Sequence, residues 1–129
     1  MHQPTFVFYF EQALHFLEYG KNLQKDKQSI LGLFMLYRSM QLCYKVLGII
    51  AEKPLFKSAF LYDLHVYVSA FFPSIEPLFE KEILDKLSQF RKENSEVYKE
   101  KISEKSFFPL LESCEKLVQI TRQFFEGKT

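Results

Sequence analysis

The sequence predicts an all-α fold: a five-helix antiparallel up-and-down bundle, with four helices forming the core and one shorter helix beside them. Three observations point there. Apolar residues recur at the helical period through five successive segments. Strand-like alternation is missing, and four Gly and five Pro in 129 residues are too few for a turn-rich β protein. The connections between segments are short, which makes consecutive helices antiparallel neighbours.

The first segment, Thr5 to Gln24, places Phe6, Phe10, Ala13, Leu14 and Leu17 on one helical face. A Thr5 side-chain oxygen can cap it, and Gly20 and the polar run Lys21 to Gln28 loosen its end. The second, Ser29 to Glu52, is apolar nearly all round, which predicts a central position or a second interface. Its one polar stripe is Arg38, Gln41, Lys45 and Glu52, and Pro54 closes the segment. A shorter helix is expected over Leu55 to Phe72, with Phe60, Leu64, Tyr67, Val68 and Phe71 on one face, stopping before Pro73. After a turn in which Ser74 is the expected N-cap and Pro77 sits in the first helical turn, a fourth helix is expected from Glu76 to about Tyr98. Phe79, Ile83, Leu87, Phe90 and Val97 would form its buried face. Ser106 is the expected cap of a fifth helix to Phe125, carrying Leu110, Leu111, Cys114, Leu117, Val118, Thr121 and Phe124 at the helical period. Without internal repeat, low-complexity tract or linker, residues 1–129 read as one domain.

Composition narrows the function. Apolar residues make up 47% and aromatics 17%, enough for a real core at this length. Fifteen Phe and no Trp indicate packing by rings without polar handles. Lys and Arg total 17 against 16 Asp and Glu, a balance that argues against a dedicated nucleic-acid binder but permits a local basic stripe. Cys43 and Cys114 each fall inside an apolar helical pattern and read as reduced core thiols. The N-terminus lacks a basic n-region, and the longest uncharged run, Leu64 to Ile75, is too short to span a bilayer. A cytoplasmic protein without a membrane partner is expected.

Most site chemistry is absent from the sequence. A di-iron bundle needs Glu-x-x-His, which does not occur. Glu11 with His15, and Asp63 with His65, are pairs too small for a metal site, and His15 reads as a surface or boundary residue. Neither a phosphate-cradling glycine loop nor a Cys/His zinc pattern is present. No catalytic residue, metal or cofactor is therefore assigned. The charges from Arg91 to Lys105 alternate in sign, as on a solvated helix end.

One order of short motifs does stand out. The second helix carries Arg38-Ser-Met-Gln41-Leu-Cys-Tyr-Lys45-Val-Leu47, followed by Leu61-Tyr-Asp63-Leu64-His65, then Phe90-Arg91-Lys92, then Leu110-Leu-Glu-Ser-Cys-Glu-Lys-Leu117. That order, over about residues 6 to 126, resembles the HEPN domain, a small five-helix bundle. There a Gln/Glu-x-x-x-Lys helix precedes a His-Asp-Leu segment, and an Arg-Tyr dipeptide precedes the final helix. Gln41 and Lys45 look like the polar pair on the second helix. Asp63 and Leu64 resemble the end of His-Asp-Leu, with Tyr62 in place of His, and Arg91 looks like the Arg of Arg-Tyr. The family's ribonuclease branch has His after four to six residues intervening beyond that Arg. Here Tyr98 stands near that place and no His follows His65. A phenol titrating at about 10 is a poor general acid or base beside an imidazole at about 6.5, which argues against RNA cleavage.

The resemblance implies a non-enzymatic interaction subunit, expected to be a homodimer, that pairs with a minimal nucleotidyltransferase and takes a nucleotide. Its binding candidates are Arg38, Gln41, Lys45, Asp63, Arg91 and Tyr98. The stripe Arg38, Gln41 and Lys45 is either the solvent face of a bundle helix or a surface for a partner subunit or a phosphate. Two alternatives stand beside this reading: a ribonuclease toxin acting on RNA through Arg91 with Tyr98, and a helical chaperone or adaptor holding a partner helix.

Overall fold

The computed structural model describes residues 5–25, 29–54, 57–90 and 104–128. Among them every regular element is helical: α1 (Thr5–Lys25), α2 (Ser29–Ile50), α3 (Leu61–Ser69), a 3-10 helix (Pro73–Leu78), α4 (Lys81–Ser88) and α5 (Glu104–Lys128).

The apolar second helix occupies the centre, and α1, α5, α3 and α4 all pack on it. Ile30, Leu33, Leu36, Met40, Cys43, Val46 and Leu47 are buried around its circumference. Its span Ile30–Ile50 is long and apolar enough to cross a membrane, but most of it is buried in the protein, as a core helix requires. α1 lies against it through small residues. Gly20 and Gly32 approach so closely that a Cβ on Gly20 would stand 2.9 Å from the Gly32 carbonyl oxygen. One heptad away, the buried Ser39 hydroxyl donates to the Ala13 carbonyl at 2.7 Å. Phe6 and Phe10 of α1 meet Phe125 of α5, with ring centroids 5.4 and 4.8 Å apart. Both cysteines are free and buried. Burial pushes the Cys114 thiol up to about 12 and that of Cys43 higher still, so they behave as small apolar side chains.

Several boundaries differ from expectation, each for a local reason. α2 ends at Ile50 rather than Glu52, because Glu52 takes a left-handed φ of 56°. The Glu52 N–H then donates to Ile49 C=O and the Lys53 N–H to Gly48 C=O, a Schellman closure built without glycine. α3 is shorter than the expected Leu55 to Phe72. Lys57 to Phe60 are not helical, and Phe60 is extended and 45% exposed instead of buried. Ser58 causes the delay: its hydroxyl accepts the Phe60 N–H and donates to Asp63 Oδ2, a side-chain turn that competes with helix. The Leu61 N–H, first of α3, is taken by the buried Ser88 hydroxyl at 2.8 Å.

The expected helix from Glu76 is interrupted as well. Pro73 opens a 3-10 helix whose N-cap is Phe72, not Ser74, and Phe79 is extended, so α4 begins at Lys81. Its buried residues are Leu84, Leu87 and Ser88, with Ile83 and Phe90 only half-buried. The expected continuation to Tyr98 lies outside the described residues. α5 begins at Glu104, ahead of the expected cap Ser106, and buries Phe107 together with Leu110, Cys114, Leu117, Val118 and Thr121.

Candidate functional site

The polar stripe of α2 forms one wall of a cleft of about 570 Å³, a volume typical of small-molecule sites. Arg38, Gln41, Lys45 and Gly48 follow one another along that wall at intervals of three, four and three residues. Leu64, Tyr67 and Val68 of α3 face them, and Pro54, Lys57, Ser58 and Ala59 form the lip. The lip is anchored near both ends by tyrosines. Tyr67 donates its hydroxyl to the Pro54 carbonyl at 2.6 Å, and Tyr37 to the Ala59 carbonyl at 2.5 Å.

The stripe is internally ordered. Arg38 Nη1 donates to Gln41 Oε1 at 2.7 Å, and Gln41 Nε2 donates to the Tyr37 hydroxyl at 3.5 Å. Lys45 Nζ rests 4.0 Å from the centroid of the Tyr9 ring, and the Arg38 guanidinium lies 5.9 Å from that of Phe16. These cation–π contacts hold the long side chains without neutralising them. Arg38, Lys45 and Lys57 thus bring three positive charges to the cleft, and none of its lining residues is acidic. Among the described residues no carboxylate forms an ion pair with any of the three. Such a wall attracts an anion, and the Gln41 amide can add a hydrogen bond to it, whereas the Ser58 hydroxyl proton is already given to Asp63.

Of the sequence candidates, Arg38, Gln41 and Lys45 are brought together. Asp63 is not among the lining residues. Its carboxylate is exposed on the first turn of α3, bound by the Ser58 hydroxyl at 3.1 Å. Arg91 and Tyr98 lie outside the described residues. Sequence reasoning missed Lys57 and Ser58, which arrive on the non-helical lip. It also missed a buried pair at the cleft, which Tyr44 itself helps to line: the Tyr44 hydroxyl donates to His65 Nδ1 at 2.9 Å, and His65 Nε2–H donates to the Glu76 carbonyl at 3.1 Å. The carbonyl can only accept, which fixes this tautomer. Burial lowers the His65 pKa, opposed by its Glu76 partner, and raises that of Tyr44 well above 10. Both groups are therefore neutral at neutral pH and serve to tie α2 to α3 and to the 3-10 helix. The signal was present, since Leu61, Leu64, His65 and Val68 share one helical face.

The described residues contain no group of three His, Cys, Asp or Glu side chains able to hold a metal ion. In comparisons with known proteins, no family model matches the chain, and no curated protein or solved structure shows significant similarity to it.

Proposed function

We propose that the chain is a HEPN-like helical subunit whose α2–α3 cleft binds a nucleotide through its phosphates. The observation that carries this reading is the convergence of Arg38, Lys45 and Lys57 on one cleft free of carboxylates. Arg38 and Lys45 belong to the motif-bearing second helix, and the pair Gln41 and Lys45, singled out by the resemblance, opens into that cleft. A charged wall of this kind suits a phosphate better than the apolar face of a partner helix, and so favours ligand binding over an adaptor role.

In this reading the subunit is cytoplasmic, acts as a homodimer and serves a separate minimal nucleotidyltransferase. Phe8 and Tyr19, more than half exposed and on one side of α1, offer apolar surface for such contacts. Isothermal calorimetry with ATP, ADP and AMP tests the cleft directly. Wild type binds at least one of them, and Arg38→Ala/Lys45→Ala weakens that affinity at least tenfold, since each lost charge-assisted hydrogen bond is worth roughly 1.5–3 kcal/mol. Equal affinity in the double variant would remove the cleft from consideration. Light scattering and co-purification with a co-expressed nucleotidyltransferase test the assembly; a strict monomer that captures no such enzyme contradicts it.

A further inference from the structure

Gly48 stands on α2 where neither backbone nor packing asks for glycine. Its φ is not positive, and a Cβ built there meets nothing within 4 Å. Gly20 and Gly32 are different, because each carries the other helix's carbonyl oxygen within 3.0 Å of where a Cβ would stand. Glycine is among the poorest helix formers, so Gly48 weakens α2 with no close helix contact in return. It is nevertheless buried, and it lines the cleft.

Position 48 also continues the stripe. At the α-helical rise it lies about 15 Å along α2 from Arg38. The surroundings change character over that length. The Lys53 N–H closes on the Gly48 carbonyl at 3.0 Å, which brings Pro54 beside it, and Tyr67 is fastened to Pro54 through its hydroxyl. This end of the cleft therefore offers bare backbone, a proline and an aromatic residue. Arg38 supplies charge at the other end, and Lys45 lines the wall between them with its ammonium 4.0 Å from the Tyr9 ring centroid.

The geometry points to Gly48 as a specificity-determining position: its missing side chain admits the planar ring of a nucleoside polyphosphate, while Arg38 and Lys45 hold the phosphate chain. This assignment rests on the nucleotide reading of the cleft and adds a direction to it. A side chain at position 48 is expected to exclude the ring yet spare the anion site. Helix α2 itself tolerates the change, because a Cβ there has open space.

The test compares ATP and inorganic tripolyphosphate by calorimetry on the full chain, as wild type, Gly48→Ala and Gly48→Leu. Thermal unfolding without ligand runs in parallel. Gly48→Ala is expected to melt at or above wild type. ATP affinity should fall stepwise from Gly to Ala to Leu, by at least tenfold in Gly48→Leu, while tripolyphosphate binds all three equally. Should Gly48→Leu not fold, the Ala variant still reads the trend. ATP affinity that Gly48→Ala and Gly48→Leu leave intact, or a parallel loss of both ligands, overturns the role of Gly48 and leaves the cleft reading standing. Wild type that binds neither ligand overturns both.

Discussion

Replacing Tyr44 by Phe removes one oxygen atom from the interior, and the structure sets what that costs. Tyr44 is 2% and His65 3% exposed, so water cannot replace the lost partner. His65 Nε2–H is committed to the Glu76 carbonyl, which leaves Nδ1 as an acceptor whose only described side-chain donor is the Tyr44 hydroxyl. The ring of Phe fills nearly the same volume, so no cavity forms and the loss is that of an orphaned buried acceptor, about 1–3 kcal/mol. For a chain of this length that corresponds to a fall in Tm of roughly 4–11 °C. Urea denaturation at pH 7 measures it, with the requirement that the m-value stay constant so that the comparison is one of stability alone. Tyr44 lines the cleft, but its hydroxyl is committed to His65 and not to a ligand, so ATP affinity should be preserved. A Tyr44→Phe variant as stable as wild type would refute the structural role of the pair. One that keeps its stability but loses ATP would make the Tyr44 hydroxyl a ligand contact instead.

Three further outcomes follow from local geometry. Gly20→Ala forces a Cβ to 2.9 Å from the Gly32 carbonyl oxygen; overpacking of about 1–3 kcal/mol less a helix-propensity gain of about 1 leaves a net loss of up to roughly 2 kcal/mol. Gly127→Ala, where a Cβ meets nothing within 4 Å, is the control, and a destabilisation equal to that of Gly20→Ala would contradict the close approach. Glu52→Gly relieves the left-handed φ of 56° and should stabilise by about 0.5–1 kcal/mol, read as a rise in thermal midpoint. The lowered His65 pKa predicts acid sensitivity, because the unfolded chain takes up the imidazole proton first as pH falls. Stability should decline from about pH 6.5 downward, with a slope of at most about 1.4 kcal/mol per pH unit, until the folded-state pKa is passed. His65→Gln should flatten that slope whatever it does to stability at pH 7, and an unchanged slope would assign the titration elsewhere.

The helical character of the chain and the central place of α2 were legible because apolar periodicity and the lack of polar residues around α2 are properties of the chain itself. Ends were less so. The extended Phe60 depends on Ser58 reaching both its own neighbourhood and Asp63, and the start of α3 depends on Ser88, twenty-seven residues away. Glu52 in a left-handed conformation is still harder to foresee, since a glutamate carries no sign of it. His65 is the instructive miss. Read as a member of a polar pair with Asp63 it looked like a failed metal site; read at three- and four-residue spacing with Leu61, Leu64 and Val68 it is a core histidine.

The stripe on α2 posed a choice between solvent and a surface for a partner subunit or a phosphate, and the fold sets it in the wall of a cleft. Arg38, Gln41 and Lys45 are half-buried, covered on one side by the chain's own lip, Lys57 to Ala59, and by α3. From Arg38 to Lys45 the stripe carries no carboxylate, its Glu52 standing exposed beyond the end of α2, whereas the surface cations Lys81 and Lys116 are paired with Asp85 and Glu112. A face built to pack against apolar surface would not hold Arg38 and Lys45 within it, because unpaired charges resist desolvation. Among the described residues these cations have no ion-pair partner; they are ordered by Gln41, Tyr37 and Tyr9, and the stripe ends in a glycine that packing does not require. In the proposed reading an anionic ligand completes the site, its charge matched to α2 and its ring to the space at Gly48.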